Sequence, residues 1–133
     1  MRFWLALGSN DQPQLSLDFA CAELAKLGEV LLSSRYEFPP RSGVGVDYFN
    51  MAIRLDSDLT VDEIRQKIYQ LEDAAGRIRK SSVICLDIDL IAWEESGQDV
   101  VFDIHRFPLP KDVIVPMEEI WNGFKVVYAN IAH

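Results

Sequence analysis

Basic residues are scarce in this chain: 13 Lys and Arg stand against 21 Asp and Glu, a formal net charge of -8 over 133 residues. That balance excludes a general nucleic-acid or anionic-membrane surface, because either needs a dense basic face. An anionic ligand must instead meet a local basic island. Cysteine is scarcer still, and both Cys21 and Cys85 sit in apolar segments, where a thiol behaves as a small hydrophobe. Nothing points to a disulfide-stapled secreted scaffold. Long apolar runs are missing, so no segment reads as a membrane span. MRFWLAL stops at Gly8, too short for a signal peptide, and a cytoplasmic location is expected. Repeats, low-complexity tracts, linkers and a Walker-type phosphate loop are also absent, and Gly43-Val44-Gly45 is too short for a dinucleotide fingerprint. At this length one domain, 1–133, is expected, large enough to bury roughly two-thirds of its unfolded surface.

What is present alternates strand-like and helix-like pieces. RFWLAL (2–7) is a short apolar run closed by Gly-Ser-Asn, which suits a strand ending in a turn. Residues 14–27 place Leu17, Ala20, Cys21, Leu24 and Leu27 on one helical face, with Gly28 where a cap would sit. EVLLSSRYEF (29–38) has strand character, PPRSGVGVD (39–47) is a Pro/Gly loop, and YFNMAIRL (48–55) reads as another strand. The clearest helix spans about 60–75: Thr60 and Glu63 form a capping box, Val61, Ile64, Ile68, Leu71 and Ala75 trace the buried stripe, and Gly76 is expected to end it. ICLDIDLIAW (84–93) supplies a further strand, EESGQ a turn, and VVFDI a hairpin partner. Beyond Pro108 no period is legible. This order predicts an α+β sandwich in which two helices cover one face of a mostly antiparallel sheet.

Asp87 and Asp89 interrupt an otherwise apolar strand. Residues i and i+2 of a strand face one side, with Cα atoms roughly 6.5 Å apart. Two neighbouring carboxylates in a partly dry setting raise each other's pKa or demand a cation, and magnesium supplies one through oxygen ligands while keeping positions open for phosphate. The plain alternative is the solvated face of an edge strand. GRIRK (76–80) concentrates Arg77, Arg79 and Lys80 just before that strand. Cations at a helix C-terminus complement its dipole, but beside two aspartates they also make the metal-and-guanidinium pairing that phosphoryl transfer uses. Tyr48 and Asn50 share a strand face beside the Pro/Gly loop. An Asn amide suits the edge of a heterocycle and a Tyr ring can stack on it, the alternative being a core Tyr and a strand-end Asn.

LALGSN, PP followed by DYFN, LEDAAGRIRK and LDIDLI occur in this order over residues 3–93, and their combination resembles the hydroxymethyl-dihydropterin pyrophosphokinases. The resemblance implies a ferredoxin-like α+β sandwich. It also implies a step of folate biosynthesis in which pyrophosphate passes from ATP to 6-hydroxymethyl-7,8-dihydropterin, releasing AMP. By the same resemblance Asp87 and Asp89 match carboxylates that bind two magnesium ions. Glu72, Arg77 and Arg79 match nucleotide-side positions, with Arg77 stabilising developing charge. Tyr48 and Asn50 match pterin contacts, and Pro39 and Pro40 match the loop bordering that pocket.

The chain departs from the family pattern downstream. Only SSVIC (81–85) separates GRIRK from LDID, where the family has a longer catalytic loop carrying a Trp and an Arg. The family's Pro-His pair becomes Pro110-Lys111, with Lys111 a partial substitute at the phosphates, although a point charge does not reproduce a guanidinium fork. Two registers are open. In the preferred one VPMEEI matches a later strand-and-turn segment and an ATP loop is deleted. In the other Asn122 replaces an Arg and Phe124 supplies a second stacking aromatic. His105 and His133 match no ligand. A pterin- or nucleotide-binding relative without turnover is the alternative to an enzyme, and the oligomeric state is not legible.

Overall fold

The computed structural model describes residues 1–78 and 86–131. They form β1 (Arg2–Ser9), α1 (Pro13–Ala25), β2 (Glu29–Leu32), β3 (Tyr36–Phe38), β4 (Tyr48–Asp56), α2 (Val61–Ile78), β5 (Asp87–Glu94), β6 (Val101–Phe102), a single-turn 3-10 helix (Ile104–Arg106), α3 (Lys111–Ile120) and α4 (Phe124–Ile131). The strands make one sheet in the order β2-β4-β1-β5-β6, with β3 also on β4. Every strand pairing among the described residues is antiparallel, and the α+β ferredoxin-like architecture holds.

β1 takes the middle because both of its faces are apolar. Phe3, Leu5 and Leu7 enter one core and Trp4 and Ala6 the other, a pattern that suits a strand buried on both sides. Against the first face lie α1, through Leu17, Ala20 and Leu24, and α2, through Ile64, Ile68, Leu71 and Ala75. The capping box forms in both directions: the Thr60 N–H donates to Glu63 Oε1 at 3.0 Å, and the Glu63 N–H to Thr60 Oγ1 at 3.2 Å.

Four expectations are corrected. The 29–38 strand is two pieces, because the Ser34 N–H leaves the ladder for the Glu119 carboxylate at 2.9 and 3.0 Å. α2 runs through Gly76 to Ile78, because Gly76 does not adopt the positive φ of a C-terminal glycine cap. The second face of the sheet is covered too. Val113, Pro116, Met117 and Ile120 of α3 follow helical spacing, and VPMEEI is therefore helix rather than strand and turn. Phe124 is 2% exposed in that same core, its ring 5.2 Å from Trp121 and 5.6 Å from Tyr128, which gives this aromatic a packing role.

The β1–β5 register shifts between Trp4 and Leu5, which leaves Ile91 as the extra residue of a bulge. Ile91 and Ala92 consequently both join Trp4 in the second core. Below the bulge Asp87 and Asp89 share the α3 face, while Ile88 and Leu90 stay in the first core.

Candidate functional site

At one end of the sheet the ladder sets Asn50, Gly8 and Asp87 in a row across β4, β1 and β5, with Ala52, Ala6 and Asp89 in the next row. Paired residues of antiparallel strands project to one face. The small residues of β1 thus leave a floor between an amide on one side and two carboxylates on the other. Gly8 is required for this, since a Cβ there would lie 2.7 Å from Asn50 Nδ2. Asn50 is 8% exposed, and its Oδ1 is buried without a hydrogen-bond partner. Buried acceptors are normally paired, so this oxygen is available to a donor entering from the cavity side.

Above this floor is a cavity of about 330 Å³. Gly8, Pro40, Tyr48 and Asn50 line one part and Asp87 and Asp112 another, with Arg41 between loop and helix. A second cavity, about 220 Å³, opens on the far side of the β5 edge and is lined by Arg65, Tyr69, Glu72, Asp87, Asp89 and Arg106. Asp87 borders both.

Among the described residues β6 pairs with Ala92 and Trp93 alone, and the second cavity lies beside the lower part of β5 that this pairing leaves uncovered. Glu72 of α2 caps that edge, accepting from the Ile88 N–H at 2.9 Å. Burial pushes the Glu72 carboxyl up to about 7, the Ile88 hydrogen bond opposes this, and the nearby Asp87 and Asp89 charges push it further. Asp89 is also held above the usual carboxylate range, first by burial and then by Asp87, with Arg106 and Arg41 pulling the other way. Arg106 Nη1 stands 2.9 Å from Asp89 Oδ1. Asp103 accepts from the His105 N–H at 3.1 Å and lies within 3.8 Å of both Arg65 and Arg106, which fixes the turn that delivers Arg106.

The structure brings together Asp87, Asp89, Glu72, Tyr48, Asn50 and Pro40. It leaves Pro39 exposed beside the cavity and Lys111 exposed at the start of α3, lining neither space. Arg77 falls in the last turn of α2; its side chain, Arg79, the 81–85 segment with Cys85, and His133 are outside the described residues. Cys21 is a free thiol 3.7 Å from Met51 Sδ. Sequence reasoning missed Arg106, Arg65, Tyr69, Arg41 and Asp112. Arg65 and Tyr69 had a signal in their helical spacing from Glu72 on α2, whereas Arg106, Arg41 and Asp112 had none, because a 3-10 turn and a helix after Pro108 were needed to bring them to the strands. Gly8 was legible only as a turn residue.

Among the described residues no group of three or more His, Cys, Asp or Glu could hold a metal ion. Two carboxylates on one face are nevertheless a suitable donor set for magnesium, which is commonly held by one or two carboxylates and completes its shell with water and phosphate oxygens. Among the same residues no helix is long and apolar enough to cross a membrane.

Comparison with known proteins agrees with the geometry. Residues 4–129 match the sequence profile of 7,8-dihydro-6-hydroxymethylpterin-pyrophosphokinase. The chain is 32% identical over 130 residues to the 2-amino-4-hydroxy-6-hydroxymethyldihydropteridine pyrophosphokinase of Methylorubrum extorquens, covering 90% of this chain and 82% of that protein. With its amide and carboxylates facing one another across β1, the chain belongs to the 7,8-dihydro-6-hydroxymethylpterin-pyrophosphokinase family.

Proposed function

We propose that this chain passes a pyrophosphoryl group from ATP to the hydroxymethyl group of 6-hydroxymethyl-7,8-dihydropterin, releasing AMP in folate biosynthesis. Family membership supports the reaction. The observation that carries the division of labour is that Asp87 borders both cavities, so a nucleotide in one and a pterin in the other would meet at that carboxylate.

The larger cavity suits the pterin. Its volume of about 330 Å³ is in the range for a small heterocycle. Asn50 Oδ1 accepts from the pterin edge, Tyr48 offers a ring and Pro40 borders the opening. The smaller cavity takes the nucleotide, with Arg106 and Arg65 beside its phosphates and Tyr69 at the rim; by the family resemblance Arg77 and Arg79 also match nucleotide-side positions. Asp87 and Asp89 would hold magnesium, two ions being expected with ATP, and the metal would neutralise phosphate charge and polarise the β-phosphorus. The substrate oxygen attacks the β-phosphorus, the bond to the oxygen bridging the α- and β-phosphorus atoms breaks, and AMP departs with the electron pair while the hydroxyl proton passes to water. The protein chiefly positions and desolvates the reactants. Small-molecule substrates and the acidic surface support a cytoplasmic enzyme with no nucleic-acid partner. No observation favours the binding relative without turnover.

Calorimetric titration with α,β-methylene-ATP and magnesium tests the assignment on wild type and on Asp87→Ala/Asp89→Ala. Wild type is expected to bind the nucleotide only with magnesium and the double variant not at all; equal binding by both would remove the aspartates from the metal site. AMP release with ATP and the dihydropterin then checks turnover.

A further inference from the structure

The loop between β3 and β4 forms one wall of the larger cavity, yet it has little to hold it. Residues 41–47 are all exposed, Val44 at 80% and Val46 at 61%, so no apolar anchor ties them down. Gly43 and Gly45 take φ of 76° and 108°, and the internal bonds are short-range: the Gly43 N–H to the Pro40 carbonyl at 2.9 Å and Ser42 to Val44. Among the described residues, one side chain of 41–47 is bonded beyond the loop. Arg41 grips Asp112 with both prongs of its guanidinium, Nε to Oδ2 at 2.9 Å and Nη2 to Oδ1 at 2.6 Å, across 71 residues of sequence.

The two partners differ in how they are held. Asp112 is in the first turn of α3, near the positive end of the helix dipole, with its side chain only 11% exposed. α3 is itself anchored by Val113, Pro116 and Met117 in the second core. Arg41, in contrast, is 64% exposed on the loop. Asp112 is therefore the fixed post and Arg41 the tether. Both residues line the cavity that holds Asn50 and Tyr48.

We propose, building on the pterin reading above, that Arg41 and Asp112 are a positioning pair: by pinning the 39–47 loop to α3 they hold Pro40 and the cavity wall at the spacing a pterin needs. The pair contributes no reacting atom. Its effect is to remove, before binding, loop freedom that the ligand would otherwise have to restrict. A forked guanidinium–carboxylate pair provides direction as well as attraction, so lysine at position 41 keeps the charge but not the register.

The test uses the whole chain and two probes, 6-hydroxymethylpterin and magnesium with α,β-methylene-ATP, each titrated into wild type, Arg41→Ala, Arg41→Lys, Asp112→Asn and the exchange Arg41→Asp/Asp112→Arg. Expected are pterin dissociation constants raised about five- to ten-fold in Arg41→Ala and Asp112→Asn, where ten-fold corresponds to about 1.4 kcal/mol. Arg41→Lys should fall between these and wild type, nucleotide affinity should stay within about three-fold, and the exchange should restore most of the pterin affinity, as interaction within a contacting pair predicts. Thermal melts confirm that each variant is folded. Wild-type pterin affinity in Arg41→Ala, or weakened nucleotide binding that the exchange does not restore, would overturn the positioning role while leaving the pterin reading intact. A wild-type chain that binds no pterin would overturn the reading, and this pair's role with it.

Discussion

Gly8 and Asn50 stand opposite one another on β1 and β4, and the amide occupies the space that any side chain at position 8 would need. Gly8→Ala is expected to displace Asn50 and weaken pterin binding about ten-fold, or about 1.4 kcal/mol, while nucleotide affinity is retained. Parallel titrations with the two ligands read this directly. Glu72 carries a different kind of prediction. Its carboxyl lies near 7 in the folded chain against an ordinary value of 4.5, so between those pH values the folded state holds more proton than the unfolded state. Stability must then fall as pH rises through that window. In chelator-treated protein Glu72→Gln should match wild type at pH 4 and exceed it in melting temperature at pH 8; parallel melting curves for the two proteins would refute the assignment.

The elements meet at close contacts that tolerate little change. Gly28 joins α1 to β2, and a Cβ there would sit 1.9 Å from the Asp56 carbonyl oxygen of β4. Backbone cannot yield as a flexible side chain can. Gly28→Ala is therefore expected to cost about 1–3 kcal/mol by overpacking, read from urea denaturation. Ser57 reinforces the same junction, its Oγ donating to the Leu27 carbonyl at 2.8 Å while its own carbonyl accepts from the Met1 amino group at 2.8 Å. At the start of α2 the capping box is exposed, and Thr60→Ala should remove about 1 kcal/mol without touching either cavity.

The whole molecule depends on the second face of its sheet. Trp4 of β1 stacks on Trp121 at 4.0 Å and 10°, and Trp121 in turn stacks on Phe102 at 5.5 Å. This cluster seats α3, and α3 carries Asp112 to the cavity. Trp121→Ala should cost about 3–5 kcal/mol, as large aromatic truncations in a core do. It should also weaken pterin binding more than nucleotide binding, because the distant packing and the cavity wall share one helix. Denaturation and the two titrations on that variant separate these effects.

Much of this architecture was present in local patterns. The double-sided apolar run of β1, the stripe and capping box of α2 and the two aspartates on one strand face each follow from period and neighbouring residues, which the chain carries wherever it folds. The pairing of metal-type carboxylates with Asn50 was legible as residue types on two strands. Their facing one another across Gly8 was decided by the β4-β1-β5 register, a contact between segments more than forty residues apart. The tail shows the same limit more sharply. Its sequence had no readable period after Pro108, yet the exposed second face of the sheet recruited Val113, Met117, Trp121 and Phe124 into a core. Sequence alone thus determined most of the strands, the two leading helices and the chemical types of the candidate site, though not the break between β2 and β3. Only tertiary structure decided that Phe124 is core, that Arg106 reaches Asp89, and that Arg41 meets Asp112, because each depends on packing between residues that no local pattern links.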